Sequence, residues 1–154
     1  MYKELTNKIL EYIEENLYTK ITIEELSRLF YFNKDYIMRL FKKEIHMTII
    51  EYMNRKRVYN SLKGLQYTSD SILKISLNYG FVSQEYYSEI FTKIMGVNPN
   101  TYRKFSTHKS NISYDEIKII REKLISLKYQ LERIEHNRHP LKKSQVIQKT
   151  RYHF

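Results

Sequence analysis

The feature that most constrains the fold of this chain is an internal repeat at a distance of fifty residues. Three matched pairs of positions mark the repeat: Asn33 with Ser83, Phe41 with Phe91, and Tyr52 with Tyr102. Earlier in each copy the pairs lie forty-nine residues apart, as for Leu26-Ser27 and Ile75-Ser76, so the second copy has one more residue in its turn. Two copies indicate a duplicated supersecondary unit, because a solenoid needs more repeats to bury its faces.

The second copy, residues 69–103, predicts two short helices joined by a tight turn. Asp70 is expected to cap the first helix, and Asn78-Tyr79-Gly80 is expected to end it. Glycine suits this end because it adopts the left-handed conformation that follows many helices without a steric penalty. Ser83 is then expected to cap the second helix.

The second helix of this copy has one apolar and one polar face. Its apolar stripe recurs at helical spacing and comprises Tyr87, Ile90, Phe91 and Ile94. Its opposite face comprises Gln84, Glu85, Ser88, Glu89 and Thr92. A helix with a short polar outer face, preceded by another helix and a tight turn, is typical of a helix-turn-helix motif. In a basic protein, that outer face is a predicted contact for the edges of DNA bases.

The first copy, about residues 22–46, predicts the same arrangement. Thr22 and Glu25 form a predicted capping box at the start of its first helix, and Asn33 is the predicted cap of its second. The core stripe of this second helix comprises Ile37, Leu40 and Phe41, and its outer face comprises Lys34, Asp35, Met38, Arg39 and Lys42. Residues 49–65 then predict one long helix, which would hold the two units at a fixed separation.

The composition favours an all-α protein with a polyanionic partner. Only three glycines and two prolines occur in 154 residues, and the formal net charge is +10. The absence of cysteine excludes disulfides and thiolate metal sites. No apolar run approaches the ~20 residues of a transmembrane helix, so we expect a cytoplasmic protein. If its polyanionic partner is DNA, the protein is expected to be associated with the bacterial nucleoid.

The two copies together resemble the DNA-binding domain of the AraC/XylS family of transcriptional regulators. The resemblance covers about residues 5–105 and rests on ITIEELSRLF, NKDYIMRLFKKEI, EYMNRKR and ILKISLNYGFVSQEYYSEIFTKIMGVNPNTYR. It implies a monomeric domain of seven helices, whose two recognition helices enter successive major-groove segments on one face of double-stranded DNA. The DNA-binding residues it implies are Lys34, Asp35, Met38, Arg39 and Lys42 in the first unit, and Ser83, Gln84, Glu85, Ser88, Glu89 and Thr92 in the second.

Three acids depart from what relatives in this family often present to DNA. Glu85 and Glu89 lie where relatives often carry Gln or Arg, and Asp35 lies at a position that tends to touch DNA. A carboxylate can accept a hydrogen bond from cytosine N4, but phosphates repel it. We therefore expect the first unit to supply most of the affinity, and the second to make a weaker or cytosine-selective contact.

The sequence predicts three segments. An AraC-type DNA-binding domain occupies residues 1–105, with helix-turn-helix units at about 22–46 and 70–96, and a C-terminal helix occupies residues 106–136. A basic tail follows at residues 137–154. The small-molecule-binding barrel that usually accompanies this domain in the family is not expected here.

The C-terminal helix carries a heptad pattern. Ser113 and Glu116 form a predicted capping box at its start, and its seam comprises Ile117, Ile120, Leu124, Leu127, Leu131 and Ile134. Two alternatives are open: a coiled-coil homodimer through residues 114–135, or packing of the helix on its own domain. The tail that follows contains lysines and arginines but no acid, which is typical of a solvated segment and can add phosphate contacts.

The predicted function is a sequence-specific DNA-binding transcriptional regulator. An enzyme is not predicted, because the sequence has no nucleophile–histidine–acid arrangement and no phosphate-binding glycine loop. No cofactor is predicted, and His136 and His139 lack a third ligand for a metal site. The alternative is an AraC-like protein-interaction module that binds RNA polymerase or another regulator and touches DNA only weakly. The acids of the second outer face favour that alternative.

Overall fold

The structure is a computed structural model that describes residues 2–107 and 112–138, and these residues form helices and no strand. The helices are α1 (Tyr2–Glu15), α2 (Ile23–Phe30), α3 (Lys34–Ile45), α4 (Ile49–Tyr67), α5 (Ile72–Asn78), α6 (Gln84–Met95), α7 (Pro99–Ser106) and α8 (Tyr114–Arg138). The prediction of an all-α fold with two helix-turn-helix units, a long linker helix and a C-terminal helix is confirmed. From residue 139 onward, the predicted basic tail lies outside the described residues.

The two helix-turn-helix units, α2–α3 and α5–α6, begin and end their second helices in the same way. The side chains of Asn33 and Ser83 each accept a hydrogen bond from a backbone N–H in the first turn, at 2.8 and 3.1 Å. At the opposite ends, His46 (φ 64°) and Gly96 (φ 76°) both adopt the left-handed conformation. The fifty-residue repeat is therefore a repeat of helix boundaries as well as of core positions.

The starts of α5 and α2 differ from the sequence-based predictions. Ser71 caps α5, because its hydroxyl accepts from the backbone N–H of Lys74 at 3.1 Å. Asp70, the predicted cap, lies one residue too early and its carboxylate instead accepts from Lys74 Nζ at 3.0 Å. Thr22 caps α2 as predicted, whereas Glu25 accepts a hydrogen bond from a tyrosine hydroxyl of α1. The predicted capping box is thus only half formed.

The linker helix α4 packs against α3 of the first unit and against α5, α6, α7 and α8. Tyr52, Val58 and Leu65 are among its buried residues. A buried hydrogen bond of 2.8 Å joins the hydroxyls of Ser61 in α4 and Tyr87 in α6. The relative position of the two units therefore depends on one helix that is packed against both.

Arg57 of α4 joins the loop that leads into the first unit to the turn of the second unit. Its Nε donates to the carbonyl of Leu17 at 2.6 Å and its Nη2 donates to the carbonyl of Thr19 at 2.9 Å, both in the loop between α1 and α2. The same guanidinium lies 6.0 Å from the ring centroid of Phe81, in the turn of the second unit. Burial lowers the pKa of this arginine, and the two carbonyls provide the hydrogen bonds that a buried cation needs.

Arg103 has the corresponding role in the second unit. Its Nε donates to the carbonyl of Leu65 at 3.1 Å, and its Nη2 donates to the carbonyl of Asp70 at 2.6 Å. These carbonyls belong to the last turn of α4 and to the loop that leads into α5. The Tyr102-Arg103 pair of the family-like motif is therefore structural: Tyr102 is buried, and Arg103 holds the entrance to the helix-turn-helix unit.

The last helix, α8, contacts α6 of the second unit and also α4 and α1. Near its start, Ile119 lies against the C-terminal end of α6. In its middle, Gln130 accepts a hydrogen bond of 3.0 Å from Arg55 of α4. At its end, Arg138 forms an ion pair of 2.6 Å with Glu14 of α1. The capping box at Ser113 and Glu116, which starts this helix, is present as predicted.

The heptad seam of α8 faces its own domain. Four of its six apolar residues are buried within the chain: Ile120, Leu127, Leu131 and Ile134. Of the two alternatives left open by the sequence, the contacts show the packing of the helix on its domain. A coiled coil through the same seam would require α8 to leave this position.

Candidate nucleic-acid interface

The outward side of α3 carries the residues predicted to bind DNA in the first unit. Ile37 and Phe41 are fully buried and fix which side of the helix faces inward. The predicted residues are all exposed: Lys34, Asp35, Met38, Arg39 and Lys42. The fold therefore places three basic side chains, an acid and an apolar side chain on one accessible surface, which we call the α3 surface.

The outward side of α6 carries the second predicted set, opposite the buried Tyr87 and Phe91. Gln84, Glu85, Glu89 and Thr92 are exposed on it, and Ser88 is half-buried. We call this the α6 surface. The remaining predicted residue, Ser83, is the N-cap of α6, and its hydroxyl is already engaged by the helix backbone. Its role in the described fold is to start the helix.

Ion pairs lower the available charge at two positions. Lys34 lies 3.0 Å from Glu24 of α2, and Lys93 lies 4.0 Å from Glu89 on α6. Both pairs are exposed, so each contributes little to stability and can be exchanged for a phosphate. Arg39 and Lys42 form no ion pair within the described part of the chain, which leaves the α3 surface the more basic of the two.

Two further lysines border these surfaces and were not among the predicted residues. Lys43 is exposed beside Lys42, and the side chain of Lys93 is 71% exposed. They stand fifty residues apart, so the repeat itself would have identified them as equivalent positions. Tyr31, in the turn before α3, is 93% exposed and adopts the left-handed conformation that Gly80 adopts in the second unit.

A cleft of about 420 Å³ lies beside α6, between α4 and α8. Its lining includes three basic side chains, Arg55, Lys93 and Lys123, and one acid, Glu51. The Glu51 carboxylate accepts a hydrogen bond of 2.7 Å from the backbone N–H of Thr48, which lowers the pKa of this carboxyl and completes the capping box of α4. The lining of the cleft therefore has a net positive charge.

The described ranges contain neither a candidate metal site nor a candidate membrane span. No group of three or more His, Cys, Asp and Glu side chains in residues 2–107 and 112–138 is arranged to hold a metal ion. His139, one of the two histidines considered from the sequence, lies outside these ranges. None of the described helices combines the length and apolarity that crossing a membrane requires.

Comparison with known proteins places this geometry among transcriptional regulators. A protein-family model described as a helix-turn-helix domain matches residues 26–104, from α2 to α7. An uncharacterised helix-turn-helix transcriptional regulator of Bacillus subtilis, YbfP, is 33% identical over 121 residues, which are 77% of this chain and 41% of that protein. The transcriptional activator AarP of Providencia stuartii is 29% identical over 115 residues, 75% of this chain and 85% of that one.

A similar fold is present in a solved structure, the C-terminal domain of AraT, a response regulator from Geobacillus stearothermophilus. The two chains are 26% identical, with a TM-score of 0.62, and the match covers 71% of this chain and 88% of that one. The chain thus spans less than half of YbfP and most of AarP. The expectation that it is not an enzyme agrees with these relatives, which are named as regulators.

Proposed function

Since the chain belongs to the AraC/XylS family of helix-turn-helix transcriptional regulators, we propose that it binds specific sequences of double-stranded DNA through two adjacent segments of the major groove. The α3 surface would enter one segment and the α6 surface the next, about one helical turn or ~34 Å away on the same face. The observation that carries this proposal is the equivalence of the two surfaces at fifty-residue spacing, joined by the single helix α4.

The two surfaces would contribute differently. Arg39 has the side chain that most often recognises guanine, through O6 and N7, and Lys42 beside it can neutralise a phosphate. On the α6 surface, Gln84 can pair with adenine, while Glu85 and Glu89 can accept from cytosine N4 but repel phosphates. We therefore assign most of the affinity to the first unit and a selective contact to the second.

The contacts between the units support simultaneous binding. Arg57 of α4 joins the α1–α2 loop to the turn of the second unit, because it donates to two carbonyls of that loop and lies beside Phe81. Two recognition helices that are already held in one orientation lose little conformational entropy on binding two groove segments together. Binding to chromosomal DNA would also place the protein at the nucleoid of the bacterial cytoplasm.

A second candidate function is favoured by the charge of the α6 surface. Glu85 and Glu89 are both exposed there, and within residues 2–107 and 112–138 only Lys93 lies close enough to pair with one of them. An acidic helix face is suited to a basic protein surface, such as one on RNA polymerase or another regulator. In that case the second unit would recruit a protein while the first unit binds DNA weakly.

Selection of genomic DNA fragments with the purified protein, followed by footprinting, tests the proposal. We expect an enriched sequence with two protected segments about one helical turn apart. Arg39→Ala should weaken binding to it by about 1–3 kcal/mol, whereas Lys63→Ala, at an exposed position of α4 that belongs to neither surface, should not. A single short protected segment would contradict two-site binding. Binding that stays weak at every salt concentration and selects no sequence would favour the second candidate.

A further inference from the structure

Three basic side chains at the edge of the α6 surface form what we call the basic ridge: Lys93, Lys123 and Arg55. The helix α8 supplies one of them. Lys93 of α6 and Lys123 of α8 line the same cleft, together with Arg55 of α4. Lys123 packs closely on the end of α6, because its aliphatic chain would lie 3.5 Å from a Cβ placed on Gly96. Three different helices thus bring basic side chains to one border of the second recognition helix.

The charge of this ridge contrasts with the α6 surface that it borders. The α6 surface carries the exposed carboxylates of Glu85 and Glu89. Lys93 of the ridge forms an ion pair with Glu89, with 4.0 Å between Nζ and Oε1. Lys123 is exposed and forms no ion pair within the part of the chain that the structure describes. Lys123 of α8 therefore adds a charge that is available for a phosphate at this edge, beside those of Lys93 and Arg55.

We propose that α8 extends the DNA interface, with Lys123 contacting a backbone phosphate beside the groove segment that the α6 surface occupies. The matched helix-turn-helix domain ends at residue 104, so this helix lies beyond the region shared with the family model. The contact offsets the repulsion between phosphates and the two carboxylates of α6. It rests on the proposed function, because it assumes that the α6 surface enters the groove.

The packing of α8 makes such a contact specific in position. Ile120 and Leu127 are buried on either side of Lys123 along the helix, so the backbone that carries this lysine is held against the domain. A phosphate contact from a fixed helix adds affinity for every sequence, since the phosphate is present at each nucleotide. Lys123 is therefore expected to affect affinity and salt dependence but not the choice of sequence.

The test compares Lys123→Ala with Lys118→Ala in the full chain. Lys118 is also exposed on α8, but it does not line the cleft. Binding is measured on the selected operator and on a random duplex between about 50 and 200 mM salt. We expect Lys123→Ala to reduce the slope of log K against log salt by about 0.9, and to weaken binding about eight-fold near 0.1 M salt, on both duplexes. Lys118→Ala should match the wild type.

The possible outcomes separate this inference from the proposed function. Equal slopes for the two variants and the wild type would overturn the inference while leaving DNA binding intact. A wild-type protein that binds neither duplex would contradict the proposed function itself. Lys123→Arg should restore the slope if the charge makes the contact. An unchanged thermal unfolding temperature of Lys123→Ala would exclude loss of folding as the cause.

Discussion

The guanidinium of Arg138 lies 2.6 Å from the carboxylate of Glu14, and so joins the end of α8 to α1 across 124 residues of sequence. The Arg138 side chain is only 7% exposed, and it also lies 3.4 Å from Glu11. Glu14 in turn accepts a hydrogen bond of 3.0 Å from the hydroxyl of Tyr52 in α4. Three helices therefore meet at one half-buried carboxylate.

Arg138→Ala should lower the free energy of unfolding by about 2 kcal/mol. Removal of one partner from a buried pair typically costs ~3–5 kcal/mol, but Glu14 keeps Tyr52 and lies 3.7 Å from Lys56. Urea unfolding at neutral pH measures the change. Arg133→Ala, at an exposed position of the same helix, is the control and should change stability by less than ~0.5 kcal/mol. Equal effects of the two changes would mean that α8 is not held by this pair.

The same carboxylate predicts a pH dependence of stability. Burial alone would raise the pKa of Glu14, but the hydrogen bonds from Arg138 and Tyr52 and the charge of Lys56 outweigh it and hold the pKa below its ordinary value of 4.5. A lowered pKa in the folded state stabilises the protein above the ordinary pKa, and this stabilisation is lost as the pH falls through the folded-state value.

The variant Glu14→Gln should therefore differ most from the wild type near neutral pH. The difference in unfolding free energy should shrink as the pH falls below about 4.5. Glu15→Gln, at the neighbouring exposed position, provides the control, and its difference from the wild type should stay small throughout. A difference for Glu14→Gln that is constant from neutral to acid pH would show that its charge does not stabilise the fold.

The two equivalent helix ends predict opposite effects of substitution. Gly96 has φ 76°, and a Cβ there would overlap Ile119 of α8, so Gly96→Ala should destabilise the protein by about 2–4 kcal/mol. His46 adopts the same conformation with a side chain, at φ 64° and exposed, so His46→Gly should stabilise it by about 0.5–1 kcal/mol. Thermal unfolding of the two variants measures both predicted changes in stability. Ile119→Ala should recover part of the loss in Gly96→Ala, and no recovery would argue against close packing of α8 there.

The local features of this fold could be predicted from the sequence because neighbouring residues determine them. The stripe of Ile37 and Phe41, the cap at Asn33 and the capping box at Ser113 follow from spacing and side-chain type. The cap at Asp70 was predicted one residue early, because Asp70 and Ser71 are both good N-caps and the sequence does not rank them.

The position of α8 could not be predicted in the same way. Its narrow apolar seam could pack against a partner helix in a coiled coil or against its own domain. The contacts that distinguish these two arrangements join residues that are far apart in sequence. Arg55 forms a hydrogen bond with Gln130, which is 75 residues away in sequence, and no local sequence pattern predicts that contact. For the candidate interface, sequence spacing gave the outward residues of α3 and α6 but not Lys123, because only the packing of α8 brings it there.

The packing of the heptad seam predicts a monomer in solution. Leu127 is 2% exposed and Ile125 is 69% exposed on the same helix, so Leu127→Asp should unfold or strongly destabilise the protein while Ile125→Asp should leave its stability nearly unchanged. Analytical ultracentrifugation should give the mass of one chain at all concentrations. A concentration-dependent dimer that Leu127→Asp dissociates without loss of thermal stability would instead support the coiled-coil alternative.

The carboxylates of the α6 surface predict that affinity for DNA can be increased. Glu85 and Glu89 are exposed where the proposed groove contact lies, and the side chain of Glu89 is 66% exposed even though Lys93 is nearby. The double variant Glu85→Gln/Glu89→Gln should therefore bind random duplexes more tightly, most clearly at low salt, where charges are least screened. Fluorescence anisotropy at several salt concentrations measures this change.

A matched control for that variant is Glu4→Gln/Glu15→Gln, which removes two exposed acids from α1, outside both surfaces. Because it changes the net charge by the same amount, any general effect of net charge on DNA affinity should appear in both variants. Only the additional gain in affinity of Glu85→Gln/Glu89→Gln over the control is due to the α6 surface. Tighter binding to random DNA combined with weaker binding to the selected operator would identify a cytosine contact. Weaker binding of Glu85→Gln/Glu89→Gln to every duplex would mean that the carboxylates make favourable contacts, and would contradict their proposed restraining role.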